Sequence, residues 1–334
     1  MATDFSALES RSQDLIQELM PFGEVLDRMA EAASRPSCRF PEGIQRYSFL
    51  STMARVLHLR AEVRVHAGLY QGALEDIVTL LRIGRHLQRG PGLPAVIGRM
   101  VAETALQPLW EGLQTHAWTP QQLVMLQEAL ASMDLPGGLR ADQSRRREYA
   151  QAAQELDAHP WTLMGWTELT PAGFWNRCLF SLLPRGWAYQ CLAAEDRSEA
   201  QVMAAVGPGR RIVPLRVQDF PRTPSPYLWA GGPYGGGSTL KKLRTATWVQ
   251  ASLDQARVAC ALERFRLARG VYPGALDEMV PNYLAQVPSD WLTGAPLTYT
   301  AKEAGFRLGA TGWTDPDVPE SKETAKAWKW VSGR

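Results

Sequence analysis

Apolar residues recur every three or four positions along much of this chain, which is the spacing of an amphipathic α-helix. The pattern is clearest near the C-terminus, where a long predicted helix begins at Ala246 and ends at Gly270. Its predicted buried stripe consists of Val249, Leu253, Ala256 and Cys260, widened by Val258, Leu262 and Phe265. Arg266 and Arg269 lie in the last turn, where cations suit the negative end of the helix dipole. Pro273 then prevents the helix from continuing.

The first 158 residues show the same spacing in shorter segments that proline and glycine separate. The pattern predicts helices over residues 4–33 (broken at Pro21), 47–67, 71–88, 93–116, 120–133 and 140–157. Thr119 is a favourable N-cap for the helix that begins at Pro120. Helices joined by loops this short pack as antiparallel neighbours, so the segment is predicted to form helical hairpins.

The remaining segments suggest a change of architecture. Residues 159–240 are rich in tryptophan, and helices are predicted over 172–183 and 187–205. The segment 207–237 is rich in proline and glycine and is predicted to be a linker. Alternating patterns after the long helix predict strands over 297–301, 305–310 and 325–331. The predicted fold is therefore mainly α, with a small C-terminal α+β part made of a long helix and a three-stranded antiparallel sheet. The predicted domains are a helical-hairpin domain (1–158), an irregular connector (159–240) and the α+β part (241–334).

Composition narrows the classes of partner. The chain has 334 residues, 45% of them hydrophobic and 21% charged, with a formal net charge of +2. This near-neutral balance argues against a nucleic-acid partner, which selects clustered positive charge. Twelve tryptophans are interpreted as packing anchors or contact residues.

The N-terminus carries acidic residues and no apolar core, so it does not resemble a signal peptide. No stretch reaches the roughly 18 consecutive apolar residues of a membrane span. The chain as it stands is expected in the cytoplasm, or outside it if an upstream anchor was removed.

The four cysteines are widely spaced and form no Cys-x-x-Cys pair, so no zinc ribbon or thioredoxin-type motif is predicted. They are Cys38, Cys178, Cys191 and Cys260. The favoured interpretation is four buried thiols that act as small apolar side chains. Cys178 and Cys191 could also close a short loop in an oxidising compartment.

Two stretches resemble known families. Small and large residues of the first hairpin match the spacing of one tetratricopeptide-type repeat: Ala61, Gly68, Tyr70, Ala73 and Ile77. The C-terminal motif resembles the globular part of type II secretion major pseudopilins: Gly270-Val271-Tyr272-Pro273, Leu276, Val280-Pro281, Leu284, Val287-Pro288, Asp290-Trp291, Gly294 and Leu297-Thr298-Tyr299. That resemblance covers about 65 residues and implies a helix packed under a small sheet. The whole chain also looks like a group of bacterial proteins of no assigned activity.

The candidate metal ligands form two sets. His58, Glu62 and His66 are four residues apart and share one side of a helix, where they could bind zinc or iron. The alternative for this set is a solvated face with a Glu62–His66 pair, which the neighbouring cation of Arg55 favours.

The second set belongs to a C-terminal loop and consists of Asp315, Asp317 and Glu320. The resembled pseudopilins bind calcium in such a loop, and oxygen ligands suit that ion. Pro316 and Pro319 interrupt the acidic residues, so a solvated acidic loop is the alternative.

No nucleophile elbow, phosphate loop or metalloprotease motif is present in the sequence. The sequence therefore favours a non-enzymatic protein-interaction or scaffold protein without a cofactor, and with a protein partner, as part of an envelope-associated assembly. The rival hypothesis is an enzyme or metal-binding protein with its site around His58, Glu62 and His66.

Overall fold

The computed structural model describes residues 14–37, 44–88, 93–141, 236–291, 294–302, 305–309 and 330–331, with single helical positions between 154 and 200. These residues are mainly helical, with a small antiparallel sheet near the C-terminus, as predicted. The α-helices are α1 (Gly23–Ser34), α2 (Ile44–His66), α3 (Tyr70–Leu87), α4 (Leu93–Thr104), α5 (Leu106–Gln114), α6 (Pro120–Ala131), α7 (Leu135–Ala141) and α8 (Gly236–Arg269). Short 3-10 helices cover Met20–Phe22 and Leu276–Met279, and the strands are β1 (Thr298–Lys302), β2 (Gly305–Gly309) and β3 (Trp330–Val331).

Two predicted helix-end signals, the Thr119 cap and the Gly270 end, are confirmed. Thr119 caps α6: its hydroxyl accepts from the Gln122 amide at 3.3 Å, and the Gln122 side chain accepts from the Thr119 amide at 3.0 Å. Gly270 ends α8 with a left-handed φ of 81°, which glycine adopts without strain.

Three predicted boundaries were wrong. The single helix over 93–116 is two helices, because Pro108 has no N–H to donate to the Thr104 carbonyl. The interval between the helices predicted over 120–133 and 140–157 holds helix α7, since proline is tolerated in a first turn and Asp134 Oδ1 accepts from the Gly137 amide at 3.1 Å. Helix α8 begins at Gly236, inside the predicted linker.

Several predictions fall outside the described residues, wholly or in large part. These are the helices over 140–157, 172–183 and 187–205, most of the linker over 207–237, and the third strand apart from its last two residues. The proposed domain boundary at 158 also lies there, whereas the boundary at 240 falls inside α8.

A buried charge network joins the first three helices. Asp76 of α3 accepts hydrogen bonds from Arg60 Nη2 at 2.7 Å and from Arg64 Nη1 at 2.8 Å, both on α2. Asp27 of α1 lies 3.4 Å from Arg60 Nη1. Because Asp76 is buried and meets two guanidinium groups, this network specifies how the α2–α3 hairpin pairs.

Helices α3 and α4 approach closely through two glycines. A Cβ atom added to Gly98 would lie 2.7 Å from Leu87 Cβ and 2.8 Å from the Gly84 carbonyl oxygen. These separations are too short for any side chain, so the crossing of α3 and α4 requires glycine at 98.

The chain divides into two compact units, and most of the described residues belong to the one that contains Met1–Leu139, Ala246–Trp313 and Lys322–Arg334. In this unit α8 is buried on nearly all sides. The predicted apolar stripe is buried, but so are polar side chains between its turns: Thr247, Gln250, Ser252, Asp254, Gln255 and Glu263. A helix buried all round lies inside a core. The hairpins, α8 and the sheet therefore share one hydrophobic core.

The sheet packs its second strand on that core. Strands β1 and β2 form an antiparallel hairpin in which Thr298 pairs with Gly309, and the two residues of β3 pair with Arg307 and Leu308 of β2. Phe306 and Leu308 are buried, and the Phe306 ring lies 5.2 Å from the Tyr272 ring, centroid to centroid.

One buried carboxylate connects three parts of this core. Glu263 of α8 accepts from Arg266 Nη2 at 2.6 Å and from the Tyr272 hydroxyl at 2.9 Å, and it lies 2.9 Å from His116 Nδ1. His116 follows α5 and has a left-handed φ of 53°. Burial alone would raise the pKa of Glu263, but the hydrogen bonds from Arg266, His116 and Tyr272 together hold that pKa below its usual value. Glu263 is therefore a buried anion with its donors assembled around it.

Gly98→Ala should lower the free energy of unfolding by about 2 kcal/mol, since the overpacking penalty exceeds the gain of about 1 kcal/mol in helix propensity. Urea denaturation followed by circular dichroism measures this change. Gly23→Ala is the matched control, because a Cβ atom there meets nothing within 4 Å. Equal stability of the Gly98 variant and the wild type would contradict the close approach of α3 and α4.

Glu263→Gln should cost about 3 kcal/mol at pH 7, the usual effect of removing one partner of a buried ion pair. Because the pKa of Glu263 is lowered on folding, the stabilisation is present above its usual pKa of 4.5 and is lost as the pH falls through the folded value. The difference from wild type should therefore shrink below about pH 4.

Tyr272→Phe removes a single hydrogen bond and should cost about 1 kcal/mol. Denaturation at a series of pH values tests both variants.

Candidate functional site

The predicted residues His58, Glu62 and His66 lie along one side of α2, as their spacing indicates. His58 Nε2 lies 3.4 Å from Glu62 Oε1. The His58 and Glu62 side chains are only 24% and 25% exposed, so this side of α2 is half-buried. The predicted solvated face is therefore only partly exposed to solvent.

Helix α5 adds a fourth residue to this set. His66 Nε2 lies 3.2 Å from Glu111 Oε2, and Gln107 Nε2 donates to the other Glu111 oxygen at 2.8 Å. The expected Glu62–His66 pair is thus replaced by two pairs, because α5 packs against α2 and brings its own carboxylate to His66. We call His58, Glu62, His66 and Glu111 the His/Glu cluster.

The charges in the His/Glu cluster are incompletely compensated. Burial raises the pKa of Glu62, the imidazoles of His58 and His66 lower it, and the neighbouring carboxylate of Glu111 raises it further. The net pKa is above its usual value, unlike that of Glu263. His58 Nδ1 is buried without a hydrogen-bond partner, and Glu111 Oε2 accepts no hydrogen bond of good geometry from His66.

The structure describes the first of the two predicted sets of metal ligands but not the second. Among the described residues, no group of three or more His, Cys, Asp or Glu side chains is arranged to hold a metal ion. In the His/Glu cluster both Nε2 atoms face carboxylates. Asp315, Asp317 and Glu320 lie outside the described residues, so calcium binding there stays a prediction.

The structure describes one of the four cysteines. Cys260 is a free, fully buried thiol, and burial raises its pKa strongly, with the Glu263 charge adding to the effect. This thiol packs as a small apolar side chain, as predicted. Cys38, Cys178 and Cys191 lie outside the described residues.

Two large apolar side chains of α2 are exposed. Phe49 and Leu59 are 57% and 39% exposed. Leu59 precedes Glu62 by three residues and His66 by seven, so these side chains are neighbours on the helix. We call Leu59, the adjoining His/Glu cluster and Phe49, which lies about 15 Å before Leu59 along the helix, the α2 surface.

Sequence reasoning missed Glu111. Its spacing of four residues from Gln107 indicates a helical pair, but no local signal assigns either residue to α2. The packing of α5 on α2 is what completes the His/Glu cluster.

Comparisons of this chain with models of protein families, with curated proteins and with solved structures found no match. A search of the described helices for a segment long and apolar enough to cross a membrane found none.

Glu62→Gln should stabilise the protein at pH 7, because the raised pKa means that the charged carboxylate opposes folding. The stabilising contribution of a protonated Glu62 is complete below its unfolded pKa and is lost as the pH rises through the folded value. After allowance for solvent screening we expect about 0.5 kcal/mol, or a Tm higher by about 1–2 °C.

Thermal melts at pH 7 and pH 4 measure this effect, and the gain should disappear at the lower pH. Glu128→Gln, at an exposed position on α6, is the control. A lower Tm for the Glu62 variant at pH 7 would show that Glu62 is fully compensated in the folded state.

Proposed function

We propose that this chain is a non-enzymatic protein-interaction protein that binds a partner protein through the α2 surface. The observation that carries this proposal is the exposure of two large apolar side chains, Phe49 and Leu59, on the helix that also holds the half-buried His/Glu cluster. Large apolar side chains that stay in water beside oriented polar groups are the usual composition of an interface core and its rim.

The physical gain on binding would come from covering Phe49 and Leu59. Covering an apolar side chain contributes about 25 cal/mol per Å² of surface removed from water. The His/Glu cluster would add orientation, since half-buried charges favour one arrangement of partner groups over others. Helical arrays bind partner segments in this way, with apolar anchors spaced along a helix.

We further propose that the chain carries a tetratricopeptide-like hairpin and, at 241–334, a pseudopilin-like part, and that it acts in an envelope-associated assembly. One contact supports the pseudopilin resemblance. The Tyr299 hydroxyl donates to the Pro273 carbonyl at 2.8 Å, which ties β1 to the turn after α8. The hairpin likeness is supported by the complete burial of Ala61, Ala73 and Ile77 where α2 meets α3.

The alternative is a metal or enzyme site around His58, Glu62 and His66. The addition of Glu111 gives it a fourth side chain, of a type that can ligate a metal. Metal binding would require both histidine–glutamate pairs to open, because the Nε2 atoms now face carboxylates. Metal analysis of the purified protein separates the alternatives, since a stoichiometric metal would favour this one.

Phe49→Ser and Leu59→Ser should each weaken capture of the native partner about fivefold, which corresponds to about 1 kcal/mol for one interface anchor. Affinity capture from lysate of the source organism, quantified by mass spectrometry, measures this loss. Met125→Ser is the matched control, because Met125 is an exposed apolar residue on α6.

Circular dichroism should show unchanged folding for all three variants, because each replaced side chain is exposed. Equal capture by the wild type and by both α2 variants would refute the proposed interaction surface.

A further inference from the structure

We infer that the contact between α3 and α4 carries a binding site for a phosphate group, held by the guanidinium groups of Arg85 and Arg99 and by the side chain of Gln88. This site uses none of the residues of the α2 surface, so it does not depend on the proposed function. It follows from three observations: the positions of the two arginines, their unpartnered nitrogen atoms and the burial of Gln88.

The glycine contact shows that α3 and α4 run antiparallel. A Cβ atom added to Gly84 of α3 would lie 3.0 Å from Ala102 Cβ of α4. A Cβ atom added to Gly98, which precedes Ala102 on α4, would lie 2.7 Å from Leu87 Cβ, which follows Gly84 on α3. Later positions on α3 therefore meet earlier positions on α4.

Arg85 and Arg99 flank this contact on the same side of the helix pair. Each arginine follows its contact glycine, Gly84 or Gly98, by one residue. One residue turns an α-helix by about 100°. In an antiparallel pair this turn brings the two following residues to the same side and to about the same level along the axes. Because two helices that touch through glycine lie close together, the two guanidinium groups can reach a single ligand.

The two guanidinium groups have unused donors. The Nε atoms of Arg85 and Arg99 are buried, and neither has a hydrogen-bond partner within the part of the chain that the structure describes. Glu103 is the carboxylate whose charge acts on Arg99, and burial lowers the pKa of Arg99 and raises that of Glu103. No Asp or Glu lies within four residues of Arg85 in the sequence. Two cations thus meet one carboxylate, and an added anion would reduce this imbalance.

Gln88 adds a buried amide beside the arginines. It follows Arg85 by three residues, so the two side chains are neighbours on one side of α3. Gln88 is only 7% exposed, yet its Oε1 has no hydrogen-bond partner among the described residues. A carboxamide can present either its oxygen or its NH₂ group to a ligand, so Gln88 can donate to a phosphate oxygen. Burying such a group without a partner is costly, and a bound ligand would remove this cost.

A phosphate group fits this set of donors better than a carboxylate does. A guanidinium group presents a planar fork of N–H donors, and one fork occupies both oxygens of a carboxylate. A phosphate group has three terminal oxygens, so it can accept from two forks and an amide at once. The ligand is therefore either free phosphate or a phosphate ester, and the site recognises the group that the two share.

The test measures binding of inorganic phosphate, phenyl phosphate and acetate to the full-length protein by isothermal titration calorimetry in a phosphate-free buffer. The variants are Arg85→Gln and Arg99→Gln. Arg55→Gln is the matched control, because Arg55 is exposed on α2 and its replacement changes the net charge equally. Circular dichroism checks folding, which the variants should retain because the Nε atoms that they remove have no partner. If a glutamine variant does not fold, Arg99→Lys replaces it, since lysine keeps the charge and removes the fork.

The wild type and the Arg55 control should bind phosphate with equal Kd values of about 1 mM or below. Arg85→Gln and Arg99→Gln should each raise this Kd about tenfold, a change of about 1.4 kcal/mol. Acetate should bind the wild type at least about tenfold more weakly than phosphate. Tighter binding of phenyl phosphate than of inorganic phosphate would identify the ligand as an ester, and the reverse order would identify it as the free ion.

Three results would each overturn the inference. They are no binding of either phosphate compound to the wild type, a Kd that both arginine variants leave unchanged, and equal binding of acetate and phosphate.

Discussion

The buried carboxylate of Glu263 is the constraint on which the packing of this protein depends. An ionised group inside a core is stable only where donors surround it. Its donors come from the segment after α5, from the last turn of α8 and from the turn that follows: His116, Arg266 and Tyr272. Since these groups belong to different parts of the chain, the helical array, α8 and the C-terminal sheet are held in one arrangement at this point.

Other polar side chains of α8 fix its register in the same way. The side chain of Gln250 bonds the backbone at two residues. Its Oε1 accepts from the Leu135 backbone N–H at 3.0 Å, and its Nε2 donates to the Met133 carbonyl at 3.3 Å. Asp254 accepts from Trp291 Nε1 at 3.0 Å. An apolar helix could slide or rotate in its core at modest cost, but each of these groups is satisfied in one position only. The polar residues thus determine how α8 sits between the array and the sheet.

Local signals allowed much of the helical array to be predicted, whereas the surroundings of α8 depended on distant residues. The Thr119 cap and the Gly270 end act through atoms a few residues apart, so the sequence displays them. Polar residues between the apolar turns of α8 indicate a solvent-facing side. Their partners, such as His116 at a separation of 147 residues, carry no local signal, so burial on all sides was not predictable. The same reason hid Glu111 from a prediction centred on His58, Glu62 and His66.

Glu263 and Glu62 are the same residue type in two different electrostatic environments. Around Glu263 the hydrogen-bond donors stabilise the charged carboxylate more than burial destabilises it, so its pKa is lowered. Around Glu62 a second carboxylate adds to the effect of burial, and its pKa rises. The first arrangement stabilises the fold, whereas the second opposes it.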